Sequence, residues 1–375
     1  MRIGFDAKRL FNNYTGLGNY SRFVVEALIR YAADHEYVLF TPKVQHNDDT
    51  KIFHESENTT IVEPSKLISK LGLRSFWRSV KLGEVAKKNG IQILHGLSNE
   101  LPKTKPSGLK TVITVHDLIF KRYPSFYKPI DVKIYDYKLR KALETADAVV
   151  AISKQTASDI STYYGYPENK IDVIYQGCHP SFHRRYDADV LQQVRAKYQL
   201  PAKYLLNVGT LEDRKNALVI VQALREVDPS VSAVFIGRET AYTDKIKHFA
   251  KAHKLESRVN FIHKVDFRDL PAIYQQAELF AYPSLFEGFG IPIVEAIASG
   301  TPVIAARTSS LTEAGGPGTI YFDPENSPEL ARLTNDLLSN RTRREEIIVS
   351  SSQYITQFEP QRIAVDMMKV YNRVT

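Results

Sequence analysis

Two glutamates eight residues apart, Glu287 and Glu295, stand in the otherwise apolar run "SLFEGFGIPIVEAIASGTPVIAAR" at residues 284–307. Ionised carboxylates accept hydrogen bonds, so such a pair suits a ligand with two separate hydroxyl-bearing parts. Between them, Gly288, Gly290 and Pro292 mark a turn from a strand ending in "LFAYPS" into a helix over "IPIVEAIASG". The first amides of a helix have no internal acceptor, so Phe289, Gly290 and Ile291 offer N–H groups to an anion. Were the whole span helical, the carboxylates would lie roughly 12 Å apart, enough for one to meet a sugar and the other a ribose. The spacing equally suits a capping glutamate followed by a surface glutamate.

Three further stretches carry charge or glycine at strand ends. In "NVGTLEDRKN" (207–216), Arg214 and Lys215 form a clamp for a diphosphate, Arg through its fork and Lys as a point charge. A solvated polar turn fits the same residues, and both side chains are expected on an exposed loop. "FNNYTGLGNYSRF" (11–23) places Gly16 and Gly18 in the first strand-to-helix loop, with the helix opening near Asn19. Ser21 stands where the dinucleotide fingerprint needs a third glycine, which leaves a shorter loop able to bring amides to a phosphate. "TVHDL" sets His116 and Asp117 at the end of an apolar strand, as a pair that orients a substrate hydroxyl or as a structural histidine. The one Asp-x-Asp considered, at 187–189, precedes "VLQQVRAKY", where Asp187 or Asp189 serves as a helix cap. With Arg214 and Lys215 meeting the diphosphate charge, no metal ion is expected.

Positioning these groups requires strands that end where they begin. Short β-branched runs alternate with helical patterns along the whole chain, which argues for parallel sheets with helices on both faces. The alternation loosens after Gly177 into "CHPSFHRRYDADV" and then restarts. The fold class is therefore α/β, with two facing Rossmann-like doubly wound domains and a cleft between them. The first domain is expected over 1–178 and the second over 179–358, with residues 359–375 a helix crossing back onto the first. Ligands in such sheets bind beyond the carboxyl ends of the strands.

Composition narrows the class. The chain has 43% hydrophobic and 25% charged residues and no apolar run of the length that spans a bilayer. "MRIGFDAKRL" enters a strand without a signal peptide, and the single cysteine, Cys178, agrees with a reducing compartment. The net charge is +8, and residues 1–175 hold 26 Lys+Arg against 19 Asp+Glu. That suits anionic partners (nucleic acid, phosphorylated metabolites, lipid headgroups) and also a merely solvated basic surface. Residues 65–88 hold seven Lys or Arg against one acid, Glu84. As a helix they would carry Lys66, Lys70, Arg74, Arg78 and Lys81 as one stripe beside Leu67, Leu71, Phe76, Trp77 and Val80. Such a helix docks on an anionic inner leaflet, or packs its apolar face in the core; Gly72 interrupts it.

Taken together, the E-x7-E pair, "GTLEDRKN", "TGLGNYS" and "HDL" resemble, in order and position, the retaining glycosyltransferases of family 4, which have the two-domain GT-B fold. The resemblance covers essentially the whole chain and is most specific at 284–307. It implies that Glu295 binds ribose hydroxyls and that Glu287 with Gly288, Phe289, Gly290 and Ile291 holds the donor sugar. Arg214 and Lys215 would neutralise the diphosphate, aided by amides at Gly16 and Gly18, while His116 faces the transferred sugar. "FDAKRLFNNYTGLGNYS" and "LPKTKPSGLKTVITVHDLIFKRYP" are similar to bacterial mannosyltransferases of polysaccharide and O-antigen assembly. This implies GDP-mannose as donor, with UDP-glucose or UDP-GlcNAc as alternatives. It also implies a glycan or lipid-linked glycan acceptor, no cofactor, no nucleic-acid partner, and a cytoplasmic location with peripheral contact to the inner membrane. An oxidoreductase lacks its fingerprint here, and a non-catalytic two-lobed sugar-binding protein would normally be exported.

Overall fold

Apolar runs without polar alternation belong to strands covered on both faces, and such runs form the centres of two sheets with thirteen parallel strands in all, whose edge strands Thr59–Val62 and Val259–Ile262 are only half-buried. The computed structural model describes residues 1–375. It divides into two units, Met1–Gly177 with Phe358–Thr375, and Cys178–Gln357. No helix is long and apolar enough to cross a membrane.

In the first unit β1 (Arg2–Asp6), β2 (Glu36–Phe40), β3 (Thr59–Val62), β4 (Ile93–Gly96), β5 (Lys110–Val115), β6 (Ala148–Ala151) and β7 (Ile171–Val173) lie in the order β3-β2-β1-β4-β5-β6-β7. The helices that matter below are α1 (Gly16–Tyr31), α2 (Pro129–Thr145), α3 (Ala188–Tyr198), α4 (Ile291–Ala298) and α5 (Pro360–Val374). The last, α5, packs on α1, burying Ile363, Ala364, Met367, Met368, Val370 and Tyr371 on one face. The Tyr371 hydroxyl meets His95 Nδ1 at 2.7 Å, and His95 Nε2 meets Thr114 Oγ1 at 2.8 Å. Burial pushes the His95 imidazole down to about 3, so this is a neutral network that fastens the terminal helix to the sheet.

Residues 65–88 do not form one helix. Lys66–Lys70 is a short helix closed near Gly72, which has φ +70°; Arg74–Phe76 runs into a π-helical turn, Trp77–Lys81, and then a helix, Leu82–Lys88. The wider π turn takes Arg78 off the expected stripe. Its guanidinium is buried instead, bound to Asp6 at 2.7 Å and to Glu100 at 2.9 Å. Trp77 is buried as well, in the core with Val38 and Leu94.

The second unit holds β8 (Lys203–Val208), β9 (Val231–Ile236), β10 (Val259–Ile262), β11 (Leu279–Tyr282), β12 (Val303–Ala306) and β13 (Ile320–Phe322) in the order β10-β9-β8-β11-β12-β13. The stretch after Gly177 is packed rather than loose: Phe182 is fully buried against Tyr274, and Arg185 donates to the Ala298 carbonyl at the end of α4. Asp187 occupies the N-cap position of α3 without a side-chain capping bond, and Asp189 lies in its first turn.

Candidate active site

The second sheet reverses its order at β8, with β9 on one side and β11 on the other. Doubly wound sheets bind ligands at such a reversal. The loops leaving β8 and β11 are the ones that carry Arg214, Lys215 and Glu287. After β8 a 3-10 turn, Asp213–Lys215, ends at Asn216, whose φ of +54° is left-handed and whose Nδ2 donates to the Pro324 carbonyl at 2.8 Å. The Leu285 amide donates to the Arg214 carbonyl at 2.9 Å, joining the two loops.

Expected on an exposed loop, Arg214 and Lys215 are instead only 14% and 16% exposed at the side chain, against Glu287 at 11%. The carboxylate between them takes the place of solvent. Arg214 Nη1 reaches Glu287 Oε2 at 2.9 Å and Nη2 reaches Glu212 at 2.7 Å. Lys215 Nζ donates to Glu287 Oε1 and, at 2.7 Å, to the Tyr282 hydroxyl. Oε1 also accepts from Tyr282 at 3.1 Å and Ser284 at 2.6 Å. Burial alone would raise the Glu287 carboxyl, but Lys215 and then Arg214 outweigh it and hold it at about 2. Burial in turn pulls the Lys215 ammonium below its ordinary range despite Glu287. Oε1 is saturated, whereas Oε2 keeps room for a ligand donor.

The glycine turn is held from the connection after β12. Ser309 Oγ accepts from the Glu287 amide at 3.1 Å, and the buried Ser310 hydroxyl bridges the Glu287 and Phe289 carbonyls, each at 2.8 Å. Gly290 has φ +133°, a backbone that a side chain would strain, and a Cβ there would also press on Leu311 and Ala314. α4 starts at Ile291 with Pro292 in its first turn, and the Ile293 amide is taken by the Gly290 carbonyl. The free amides at this helix start are therefore those of Gly290 and Ile291, while Gly288 and the buried Phe289 form the turn before them.

Glu295 lies on the same helix in a different environment. It is buried, its Oε2 accepts from the Tyr274 hydroxyl at 2.9 Å, and no cation pairs with it. Burial raises its carboxyl to about 7 against a smaller lowering by Tyr274. Two carboxylates on one loop-helix segment are thus driven in opposite directions, Glu287 ionised and Glu295 poised near neutrality.

In the first unit, α1 opens at Gly16 rather than near Asn19, because the Asn13 side chain organises its start. Asn13 Oδ1 accepts from the amides of Thr15 at 2.9 Å and Gly18 at 3.1 Å. Gly18 has thereby lost its amide to the chain, and a Cβ on it would fall on the Asn13 carbonyl; Gly16 has open space around it. Gly18→Ala should cost about 1–3 kcal/mol of stability by forced overpacking, and Gly16→Ala should melt like the parent. Equal melting of the two variants would refute the tight turn. His116 stands at the end of β5, its backbone amide on Asn99 and its Nε2–H donating to the Leu97 carbonyl at 2.8 Å. Asp117 Oδ1 accepts from the Ile119 amide at 3.1 Å. Burial lowers the His116 imidazole to about 4, leaving a neutral ring with Nδ1 as acceptor.

Sequence reading missed the groups that hold the others in place: Tyr282, Ser284, Ser309 and Ser310 around Glu287, Tyr274 on Glu295, and the Asp6–Arg78–Glu100 cluster. Tyrosine in a strand or a helix and serine in a turn look ordinary.

Residues 14–182 match a family model described as Glycosyltransferase Family 4, and residues 192–353 one described as Glycosyl transferases group 1. The chain belongs to the GT-B glycosyltransferases, and it is similar to bacterial mannosyltransferases. It is 25% identical to the O-antigen chain mannosyltransferase B of Escherichia coli, over 99% of each chain. It is 26% identical to the O-antigen chain mannosyltransferase RfbU of Salmonella typhimurium, over 66% of this chain and 65% of that one. Among solved structures, Anabaena Alr3699/HepE in complex with UDP and glucose superposes over 100% of both chains with a TM-score of 0.75 at 16% identity, a likeness of fold.

Proposed function

We propose that the protein transfers mannose from GDP-mannose to a glycan or lipid-linked glycan in the cytoplasm, with retention of configuration and without a metal ion, in cell-surface polysaccharide synthesis. The observation that carries the reading is the buried Glu287–Arg214–Lys215 cluster where the second sheet reverses, on the segment that also bears Glu295. Negative charge builds on the diphosphate as the glycosidic bond loosens, and fixed cations stabilise that state more than the ground state. In the free protein Glu287 and Glu212 balance the two cations. An arriving diphosphate competes for them, and Glu287 Oε2 then accepts from a sugar hydroxyl. Glu295 accepts from the ribose, Gly290 and Ile291 amides serve the anion, and neutral His116 offers Nδ1 to a hydroxyl of the transferred sugar. Of the two early glycines, Gly16 retains the amide suited to the phosphate.

The donor follows from likeness to the two mannosyltransferases; the solved relative holding UDP and glucose favours a UDP-sugar as second reading. Calorimetry with GDP, UDP and NAD, followed by nucleotide release from GDP-mannose, UDP-glucose and UDP-GlcNAc, separates the cases. Binding of GDP and release from GDP-mannose, undiminished by EDTA, is expected. Binding of UDP alone moves the donor, activity lost to EDTA and restored by manganese reverses the metal assignment, and binding of NAD alone overturns the class.

A further inference from the structure

The first sheet reverses its order at β1, with β2 on one side and β4 on the other. The rule that locates a ligand at the reversal of the second sheet therefore points, in the first, to the groups beyond the carboxyl ends of β1 and β4. Asp6, the last residue of β1, and Glu100, just past β4, both bind Arg78, at 2.7 and 2.9 Å. Glu100 takes Lys138 on its other oxygen at 3.1 Å. Both carboxylates are thereby matched.

Two cations are left over. Lys8 and Arg9, directly after β1, are half-buried, and neither forms an ion pair, the acids of the cluster being held by Arg78 and Lys138. Arg9 Nε is enclosed without a hydrogen-bond partner. Burial first, then Arg78 and Arg9, pull the Lys8 ammonium below its ordinary range, with Glu100 and Asp6 opposing them. The His116 imidazole at the end of β5, pushed down mainly by burial, feels Arg9 as well. Partly buried cations without counter-ions cost stability, and groups so disturbed concentrate at functional sites.

We infer that Lys8 and Arg9 bind a phosphate group carried by the sugar acceptor, close to the hydroxyl that receives the transferred sugar. Lys8, Arg9, Arg78 and Lys138 exceed Asp6 and Glu100 by two positive charges. A phosphate dianion balances that excess, a carboxylate meets half of it, and a neutral glycan none. A guanidinium beside an ammonium also matches phosphate oxygens, the one by its fork and the other as a point charge. The donor's diphosphate has Arg214 and Lys215 in the second unit. Placing the phosphate near the reacting hydroxyl rests on the reading of His116 as a partner of the transferred sugar.

Calorimetry on the full chain, saturated with whichever nucleoside diphosphate it binds, tests the site with mannose 1-phosphate as probe. Mannose 1-phosphate is expected to bind that complex, while methyl α-mannoside and glucuronate are not. Lys8→Met with Arg9→Met should lower the affinity for mannose 1-phosphate at least about tenfold and leave nucleotide affinity unchanged. Its Tm should be level with the parent or higher, because the charges removed have no partner. Arg78→Met is the wrong variant, since it strands two carboxylates. Should no nucleotide bind, the same titration of the free chain and the variant still reads the site, which keeps a failed donor assignment distinct from a failed phosphate site. Four results would each overturn the inference: no binding of mannose 1-phosphate, equal binding of glucuronate, unchanged affinity in the variant, or a variant that loses nucleotide affinity instead.

Discussion

Replacing Lys215 by Met should both destabilise the second unit and abolish transfer. The ammonium is the nearer of two cations on a buried carboxylate, and breaking a buried ion pair from one side costs about 3–5 kcal/mol. With Arg214 still in place the loss should sit at the low end. At this domain size each kcal/mol lowers Tm by about 2–4 °C. Turnover should fall at least about a hundredfold, the scale for losing one preorganised charge partner of a developing anion. Removing Arg214 and Lys215 together is a poor test of phosphate binding, since it strands Glu287. The informative partner is Glu287→Gln in the Lys215→Met background. That pair leaves no unbalanced carboxylate, so much of the lost Tm should return while transfer stays absent. Melting curves and nucleotide release on the single and double variants decide it: an unshifted Tm for Lys215→Met, or transfer restored with the double change, would sink the account.

The same cluster shows what a sequence discloses. The central strands were legible, because a parallel strand buried on both faces is a run of aliphatic and β-branched residues; "RIGFD", "KYLLNV" and "LFAY" admit little else. Glu287 and Glu295 were legible as candidates because carboxylates interrupt an apolar run. Their opposite environments were not, since those depend on partners far off in the chain: Lys215 lies 72 residues from Glu287, and Tyr274 lies 21 from Glu295. Arg78 misled because i, i+4 spacing is the same for a solvated stripe as for one member turned inward, and a π turn leaves no signature in residue types. The start of α1 was set three residues late, since Asn13, two residues before the N-cap Thr15, reaches five residues on to the Gly18 amide, which a three-residue capping pattern does not suggest.

Donor affinity should rise with pH between about 5 and 7 and level off above, through Glu295. Burial raises its carboxyl to about 7 from an ordinary 4.5. The sign follows from that direction. The fold favours the protonated acid, so this contribution to stability is fully present below 4.5 and is lost as pH rises through 7. A ribose diol donates to a carboxylate, so binding the nucleotide-sugar favours the ionised form and releases the proton that the empty site holds at low pH. Below the raised value, affinity should gain up to about tenfold per pH unit. The neighbouring groups do not confound this range: Tyr274 and Cys178 are pushed up by burial and stay neutral, while Glu287 at about 2 stays ionised. His116, held at about 4, is neutral throughout. The titrant must be an intact nucleotide-sugar, because the terminal phosphate of a free nucleoside diphosphate titrates near pH 6 on its own. Glu295→Gln keeps an oxygen acceptor without the proton, so its affinity should be weaker at pH 8 and flat from 5 to 8. Calorimetry in buffers of different ionisation enthalpy would count the proton directly. A flat parent profile, or an equal slope in Glu295→Gln, would take Glu295 away from the ribose.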